Sequence, residues 1–267
     1  MLRAPIPPLR PFIAAVWHGE GAPASSARES NLPDGNAHLA IRLGGCVLRR
    51  HEGIDDLEGH AVSDAVIAGP HERCYLKDVS RSAPSVGALL RPGAIRALFG
   101  CPPAELRDRH APLEVFYPVE VEYLRDRLNS EIDPERRLEC LQVWLLARLR
   151  PYRGLHPQVA LAVQGLRQGR SVGDLVADSG YSHRRFIDRF RDGVGLTPKS
   201  YSRLSRFGHA LRLAQAGQDW SRIALDAGYS DQPHFIREFR AFAGLSPEAY
   251  RRARRRGGRH VLLPEPA

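Results

Sequence analysis

Val172-Gly-Asp-Leu-Val-Ala-Asp-Ser-Gly-Tyr-Ser182 and Trp220-Ser-Arg-Ile-Ala-Leu-Asp-Ala-Gly-Tyr-Ser230 are one passage written twice. The copies stay in step afterwards. Phe186-Ile187, Phe190-Arg191 and Gly195-Leu-Thr-Pro198 with Tyr201 in the first answer Phe235-Ile236, Phe239-Arg240 and Gly244-Leu-Ser-Pro247 with Tyr250 in the second. The offset is 48 residues up to Ser182/Ser230 and 49 from Phe186/Phe235 onward, so one residue is inserted between them. Two copies are too few for a solenoid, which buries a continuous core only from about three repeats upward. The repeat therefore predicts a tandem pair of small units.

Each copy reads as a short helix, a tight turn, a second helix and a capped third. Ser171 with Asp174 fits a capping box, and Asp219 stands where it can cap the matching helix of the second copy. Val172, Leu175 and Val176, like Trp220, Ile223 and Ala224, recur at the three- and four-residue spacing of one helix face. Gly180 and Gly228 follow, where a helix end calls for positive φ. Ser182 and Ser230-Asp231 restart the chain with good N-cap types, and Thr197-Pro198 and Ser246-Pro247 repeat the cap-then-proline start. Helix, glycine turn, helix is the helix-turn-helix pattern.

The second helix of each unit decides what the units do. At 100° per residue Phe186 and Phe190 share a face, as do Phe235 and Phe239, and these faces must pack inward. The opposite faces carry Arg184, Asp188 and Arg191 in the first unit, and Arg237 and Arg240 with Pro233 in the second. Arginine pairs in bidentate fashion with guanine, and a carboxylate accepts from cytosine, so such a face suits the major groove. The competing reading is a solvated charged face on a structural helix. Duplication in one register behind the same turn favours the groove.

The stretch resembles the DNA-binding domain of the AraC/XylS family of bacterial transcription regulators, two helix-turn-helix units joined by a long helix. The match is carried by Ile223-Ala-Leu-Asp-Ala-Gly-Tyr229, Phe235-Ile-Arg-Glu-Phe-Arg240 and Gly244-Leu-Ser-Pro-Glu-Ala-Tyr250, and it runs from about Leu155 to Arg254. The family's first unit usually has an aliphatic residue where Arg189 stands, and Arg189 is expected to run along the core edge. The resemblance implies a regulator of promoter DNA whose two recognition helices enter successive major-groove segments about 34 Å apart. It implies base-edge contacts from Arg184, Arg185, Asp188, Gln232, His234 and Arg237, and backbone contacts from Ser182, Arg191, Ser230 and Arg240. Double-stranded DNA is the expected partner, with RNA polymerase if the protein activates; tandem units leave a homodimer optional.

Charge supports that reading. From Pro151 onward 20 Arg/Lys stand against 10 Asp/Glu, net +10, whereas the preceding residues hold 19 against 20, net −1. A near-neutral half joined to a basic half fits a sensor attached to a polyanion binder. Lys77 and Lys199 are the only lysines. Met1–Phe12 is proline-rich without an apolar core segment, and no stretch has the roughly 20 apolar residues of a membrane span, so a cytoplasmic protein is expected. Cys46, Cys74, Cys101 and Cys140 are widely spaced, which supports neither structural zinc nor disulfides.

Residues 1 to about 90 alternate short apolar runs with turn residues. Strands are expected at Phe12–Trp17, His38–Leu43, Cys46–Arg50, Ala65–Ala68, Cys74–Val79 and Ser85–Leu90, giving a small antiparallel barrel or sandwich. Helices are expected at Gly93–Phe99, Ala104–Arg109, Val119–Asn129 and Pro134–Arg150. Leu32-Pro33-Asp34-Gly35 and Leu90-Arg91-Pro92-Gly93 resemble the sensor half of one AraC-type subgroup, a cupin-like barrel followed by helices used in dimerisation. The Pro134–Arg150 helix has two readings, pairing with its mate or covering its own barrel. No His-x-His pair is present and the histidines stand singly, so no metal and no cofactor is assigned. No catalytic motif appears either. Trp17, Tyr75 and Phe116 are the candidates to line a pocket for a small-molecule effector, against the plainer reading of core aromatics.

The expected organisation is α+β: residues 1–150 a sensor or dimerisation domain, 151–256 an all-α DNA-binding domain with Pro198–Gln215 as the long joining helix, and 257–267 a tail. Arg251–Arg259 holds six arginines in nine residues, which suits phosphate contacts or a disordered basic tail equally. The alternative is a DNA-repair enzyme, such as one transferring a methyl group to cysteine, fused to DNA-binding helices; it needs an activated thiolate or a zinc–cysteine cluster.

Overall fold

The computed structural model describes residues 1–21, 28–52, 55–80, 83–151, 154–253 and 260–262. Residues 152 and 153 of the expected boundary, and 254–259 and 263–267 of the expected tail, lie outside the described residues.

The amino-terminal strands in chain order are β1 (Leu2–Arg3), β2 (Ile13–Gly19), β3 (Arg28–Asn31), β4 (Ala37–Arg42), β5 (Arg49–His51), β6 (His60–Ala61), β7 (Ala65–Ala68), β8 (Tyr75–Asp78), β9 (Ser85–Leu90) and β10 (His110–Pro112). A last strand, β11 (His260–Leu262), comes from the far end of the chain. They form two antiparallel sheets, ordered β1-β2-β9-β4-β7-β10 and β11-β3-β8-β5-β6. Alternation along β4 explains the layering. Ala37, Leu39 and Ile41 are buried in the core, while His38, Ala40 and Arg42 face a cavity between the sheets. Gly87 on β9 lets the sheet carry a large ring, since a Cβ there would sit 2.3 Å from Trp17 Cζ2.

The core face of the first sheet is covered by α1 (Ala94–Phe99), α2 (Glu120–Ser130) and α3 (Pro134–Ala147). Leu138, Leu141, Trp144 and Leu145 are the buried stripe of α3, which packs on β2 and β9 and so covers its own sheet. The stretch expected as a helix at Ala104–Arg109 is instead a single 3-10 turn at Pro103–Leu106 leading into β10. The backbone turns extended at Arg107 and left-handed at Asp108, φ 57°, which stops the helix after one turn. Strand β3 escaped the alternation pattern because its Arg28, Glu29 and Ser30 are polar yet buried, with Glu29 held 2.7 Å from Lys77 Nζ.

The carboxyl-terminal half is helical: α4 (Pro157–Arg167), α5 (Val172–Ser179), α6 (His183–Val194), α7 (Pro198–Gln215), α8 (Trp220–Asp226), α9 (Gln232–Ala243) and α10 (Pro247–Ala253). Its core is aromatic. Phe190 lies 5.7 Å from Tyr201, Phe207 5.3 Å from Phe239, and Phe239 5.4 Å from Tyr250, ring centre to ring centre. Burying each such ring contributes about 1.5–3 kcal/mol.

The two cores touch. Leu32, from the amino-terminal half, packs into the helical core together with Val261 of β11. Gly35, at φ +72°, lies against Leu204 and Tyr201 of α7. Arg167 donates to the Tyr201 hydroxyl at 2.8 Å and to Asn36 Oδ1 at 3.4 Å, and Arg96 pairs with Asp192 of α6 at 2.5 Å.

Candidate nucleic-acid interface

The first unit is built as its residues require. The Ser171 hydroxyl accepts from Asp174 N at 3.1 Å to open α5, and Gly180 closes that helix at φ 69°. The Ser182 hydroxyl accepts from Arg185 N to open α6, whose end is closed by Gly195 at φ 87°. The second unit repeats the plan with one change. The extra residue falls in the turn, so Asp231 rather than Ser230 is the N-cap of α9, accepting from His234 N at 2.6 Å. Ser230 instead donates to Asp231 Oδ2 at 3.1 Å, so Ser182 and Ser230 are not structural equivalents. Asp219 occupies the N-cap of α8 without the side-chain hydrogen bond expected of it.

Phe186 and Phe190 of α6, and Phe235 and Phe239 of α9, are buried, which turns the opposite faces outward. Arg184, Arg185, Asp188 and Arg191 are exposed on α6, and Gln232, Arg237 and Arg240 on α9. Among the described residues Arg184, Arg191, Arg237 and Arg240 make no ion pair or side-chain hydrogen bond. Other arginines of this half are engaged: Arg170 with Asp178 at 2.5 Å, Arg203 with Glu238 at 2.6 Å, Arg222 with Asp226 at 3.6 Å. Four cations outside any ion pair, two on each second helix, are what an external polyanion would neutralise.

Two other candidates are partly occupied within the chain. The Arg185 guanidinium lies 4.9 Å from the Tyr181 ring centre, and Arg189 shares that ring at 5.9 Å, exposed rather than along the core edge. His234 is half-buried between Ser230 Oγ, 3.0 Å from its Nδ1, and Glu238. Arg251, the first residue of the arginine run read as phosphate-contacting or as a disordered tail, donates to Gln218 O at 2.7 Å and covers Trp220 at 4.3 Å, so it closes the second unit.

Glu238 was not singled out from sequence. It is buried on α9, where the first copy has Arg189, and its pair with Arg203 ties α9 to α7. Its only signal was being the one acidic residue of a helix otherwise rich in arginine and phenylalanine.

Between the sheets lies a cavity of about 580 Å³, lined by Trp17, Leu48, Val66 and Leu89 and by the polar residues Asn31, Asp34, His38, Tyr75 and His110. Trp17 and Tyr75 thus face it. Phe116 does not; it packs in the core 5.4 Å from Phe99. Burial holds the His71 imidazole down to about 4 and that of His110 to about 2, and pushes the Tyr75 hydroxyl up to about 12. Burial likewise pushes up the thiols of Cys74 and Cys101, the reverse of what a nucleophilic cysteine needs. Among the described residues no group of three or more His, Cys, Asp or Glu side chains is arranged to hold a metal ion.

A family model described as a helix-turn-helix domain matches residues 175–253. The carboxyl-terminal region carries a helix-turn-helix domain of the AraC type. The AraC-type domain is preceded by a match to a domain of unknown function, DUF6597, over residues 2–112. No curated protein matches the chain. Among solved structures the chain is similar to ToxT from Vibrio cholerae. The unsaturated fatty acid-bound form from strain SCE256 has a TM-score of 0.47 at 12% identity, covering 88% of this chain and 94% of that one. The O395 form bound to (E)-4-(8-methylnaphthalen-1-yl)but-3-enoic acid has 0.46 at 11%, covering 88% and 96%. Among the described residues no helix is long and apolar enough to cross a membrane.

Proposed function

We propose that this protein is a cytoplasmic transcription regulator that reads a specific double-stranded promoter site. Helices α6 and α9 enter successive major-groove segments, set apart by α7, whose 18 residues span about 27 Å. The observation that carries this reading is the pair of outward arginine faces in equivalent units, whose Arg184, Arg191, Arg237 and Arg240 stand outside any ion pair among the described residues. Arg184, Asp188, Gln232 and Arg237 read base edges, while Arg191 and Arg240 hold phosphates. Arg185 and His234 join the base readers by leaving Tyr181 and Ser230 respectively, and Ser182 and Ser230 lie at the backbone-contacting turns. RNA polymerase is the further partner if the protein activates, and a single chain carries both reading heads.

The amino-terminal half is its control domain, with the inter-sheet cavity as the effector site. Supporting this, Leu32–Asn36 lies beside the cavity at Asp34 and against α7 at Gly35, so one short segment faces both. A salt titration of binding to promoter DNA tests the reading. Affinity should fall steeply with salt, and Arg191→Ala/Arg240→Ala should flatten the slope by about two. Salt-independent association would leave the units as protein-binding modules.

A further inference from the structure

We propose that the Tyr181 hydroxyl and the Arg189 guanidinium together hold a DNA phosphate on the flank of the first unit, a contact that the second unit does not repeat. The inference rests on the DNA-reading account and adds a backbone site to it.

Helix geometry places the site. At 100° per residue Arg189 stands about 140° round α6 from Arg184, between the outward face and the buried Phe186 and Phe190. A helix of about 10–12 Å diameter fills a major groove about 12 Å wide. Side chains on its flanks therefore meet the walls of the groove, which are sugar and phosphate and carry no base readout. Arg189 is exposed, makes no ion pair among the described residues, and lies 5.9 Å from the Tyr181 ring centre. Asp178 near the end of α5 and Asp192 near the end of α6 are each held at 2.5 Å, by Arg170 and Arg96. Arg185, 4.9 Å from the same ring, leaves it to read a base, and Arg189 then has the ring to itself.

The hydrogen bonds around Tyr181 supply the second donor. Gln158 N donates to His156 Nδ1 at 3.3 Å, which puts the ring proton on Nε2. Nε2 faces the Tyr181 hydroxyl at 3.3 Å and donates to it. The tyrosine oxygen thus accepts from within the chain, and its own proton is left for an outside acceptor. Tyr181 N donates to Ser179 Oγ at 3.1 Å, which fixes the turn that carries the ring. A phosphate oxygen only accepts, so a hydroxyl donor beside a guanidinium suits it.

The repeat supplies the contrast. Tyr229, His234 and Glu238 occupy the positions of Tyr181, Arg185 and Arg189. Tyr229 is buried and meets His234 edge-on at 5.5 Å, and Glu238 is buried against Arg203 of α7 at 2.6 Å. The cation over the Tyr229 ring is Arg206 of α7, 5.3 Å from its centre. These positions tie the second unit to α7 and stay open in the first, so DNA is gripped harder beside the first half-site.

The test is fluorescence-anisotropy titration of the full chain with a labelled mixed-sequence duplex of about 40 base pairs, over roughly 50–300 mM KCl. Arg189→Gln should lower the slope of log affinity against log salt by about 0.9 and weaken binding about three- to ten-fold at about 0.1 M. Arg189→Lys, which keeps the charge, should keep the slope. Tyr181→Phe keeps the ring and removes only the donor, so binding should weaken about three-fold with the slope unchanged. Arg136→Gln, an equal loss of charge on α3, should match the unaltered chain. A wild-type slope in Arg189→Gln, wild-type affinity in Tyr181→Phe, or an equal drop in Arg136→Gln overturns the proposal and leaves the DNA-reading account standing. Salt-independent binding by the unaltered chain overturns both.

Discussion

Arg237 stands exposed on α9 outside any ion pair, whereas its neighbour in sequence, Glu238, is buried against Arg203. Adjacent residues on one helix thus have opposite duties, one outward to DNA and one inward to α7. Arg237→Ala should cost roughly 1–3 kcal/mol at one base pair of the site and relax discrimination there, as measured by binding to single-substituted sites. Uniform weakening on every sequence would make it a phosphate contact. At the other end of the chain, His71 makes a prediction about acid. Burial holds its folded value to about 4 against an ordinary 6.5. Between those values the unfolded chain binds a proton that the folded chain does not. Stability is therefore full above about pH 6.5 and falls as pH drops toward 4, by up to about 1.4 kcal/mol per pH unit. The drop in urea midpoint from pH 7 to pH 5 should shrink in His71→Asn, whose amide can still donate to Gly69 O. An unchanged drop would assign the acid sensitivity elsewhere.

At the scale of elements, each unit is an aromatic plug between short helices. Phe239 is fully buried and touches Phe207, Phe235, Trp220 and Tyr250. Phe239→Ala should cost about 3–5 kcal/mol and lower the thermal midpoint with loss of helical signal. A variant of wild-type stability with altered DNA preference would contradict its structural role. The helical units were legible in the chain because duplication, glycine stops and cap residues all pointed one way, and α7 runs over Pro198–Gln215 as read. The turn was less legible, since only the structure shows that the inserted residue moves the cap from Ser230 to Asp231. Strand β4, whose burial alternates over Ala37–Arg42, was equally readable, and Ala65–Ala68, buried throughout, was legible from its short apolar run between turn residues. Strand β3 was not, because a buried ion pair rather than an apolar side chain holds it inside.

At the scale of the molecule, what the sequence hid is the contact between its halves. Leu32 belongs to the amino-terminal half by sequence but packs among α-helical residues, and β11 returns from the far end to pair with β3. No local pattern announces partners so distant along the chain. Phe116 had two readings, pocket wall or core, and its contact with Phe99 makes it core. The charge division of the sequence, net −1 before Pro151 and net +10 from it onward, has a counterpart in the described residues, where the cavity lies in the first half and α6 and α9 of the second expose arginines outside any ion pair. The central claim is that those arginines read promoter sequence. It is tested most directly by genome-wide binding of the tagged protein in its host, beside the Arg184→Ala/Arg237→Ala variant. The account predicts a few sharp peaks sharing a bipartite motif with half-sites about one helical turn apart, lost in the variant. Diffuse occupancy that the double substitution leaves unchanged would contradict it.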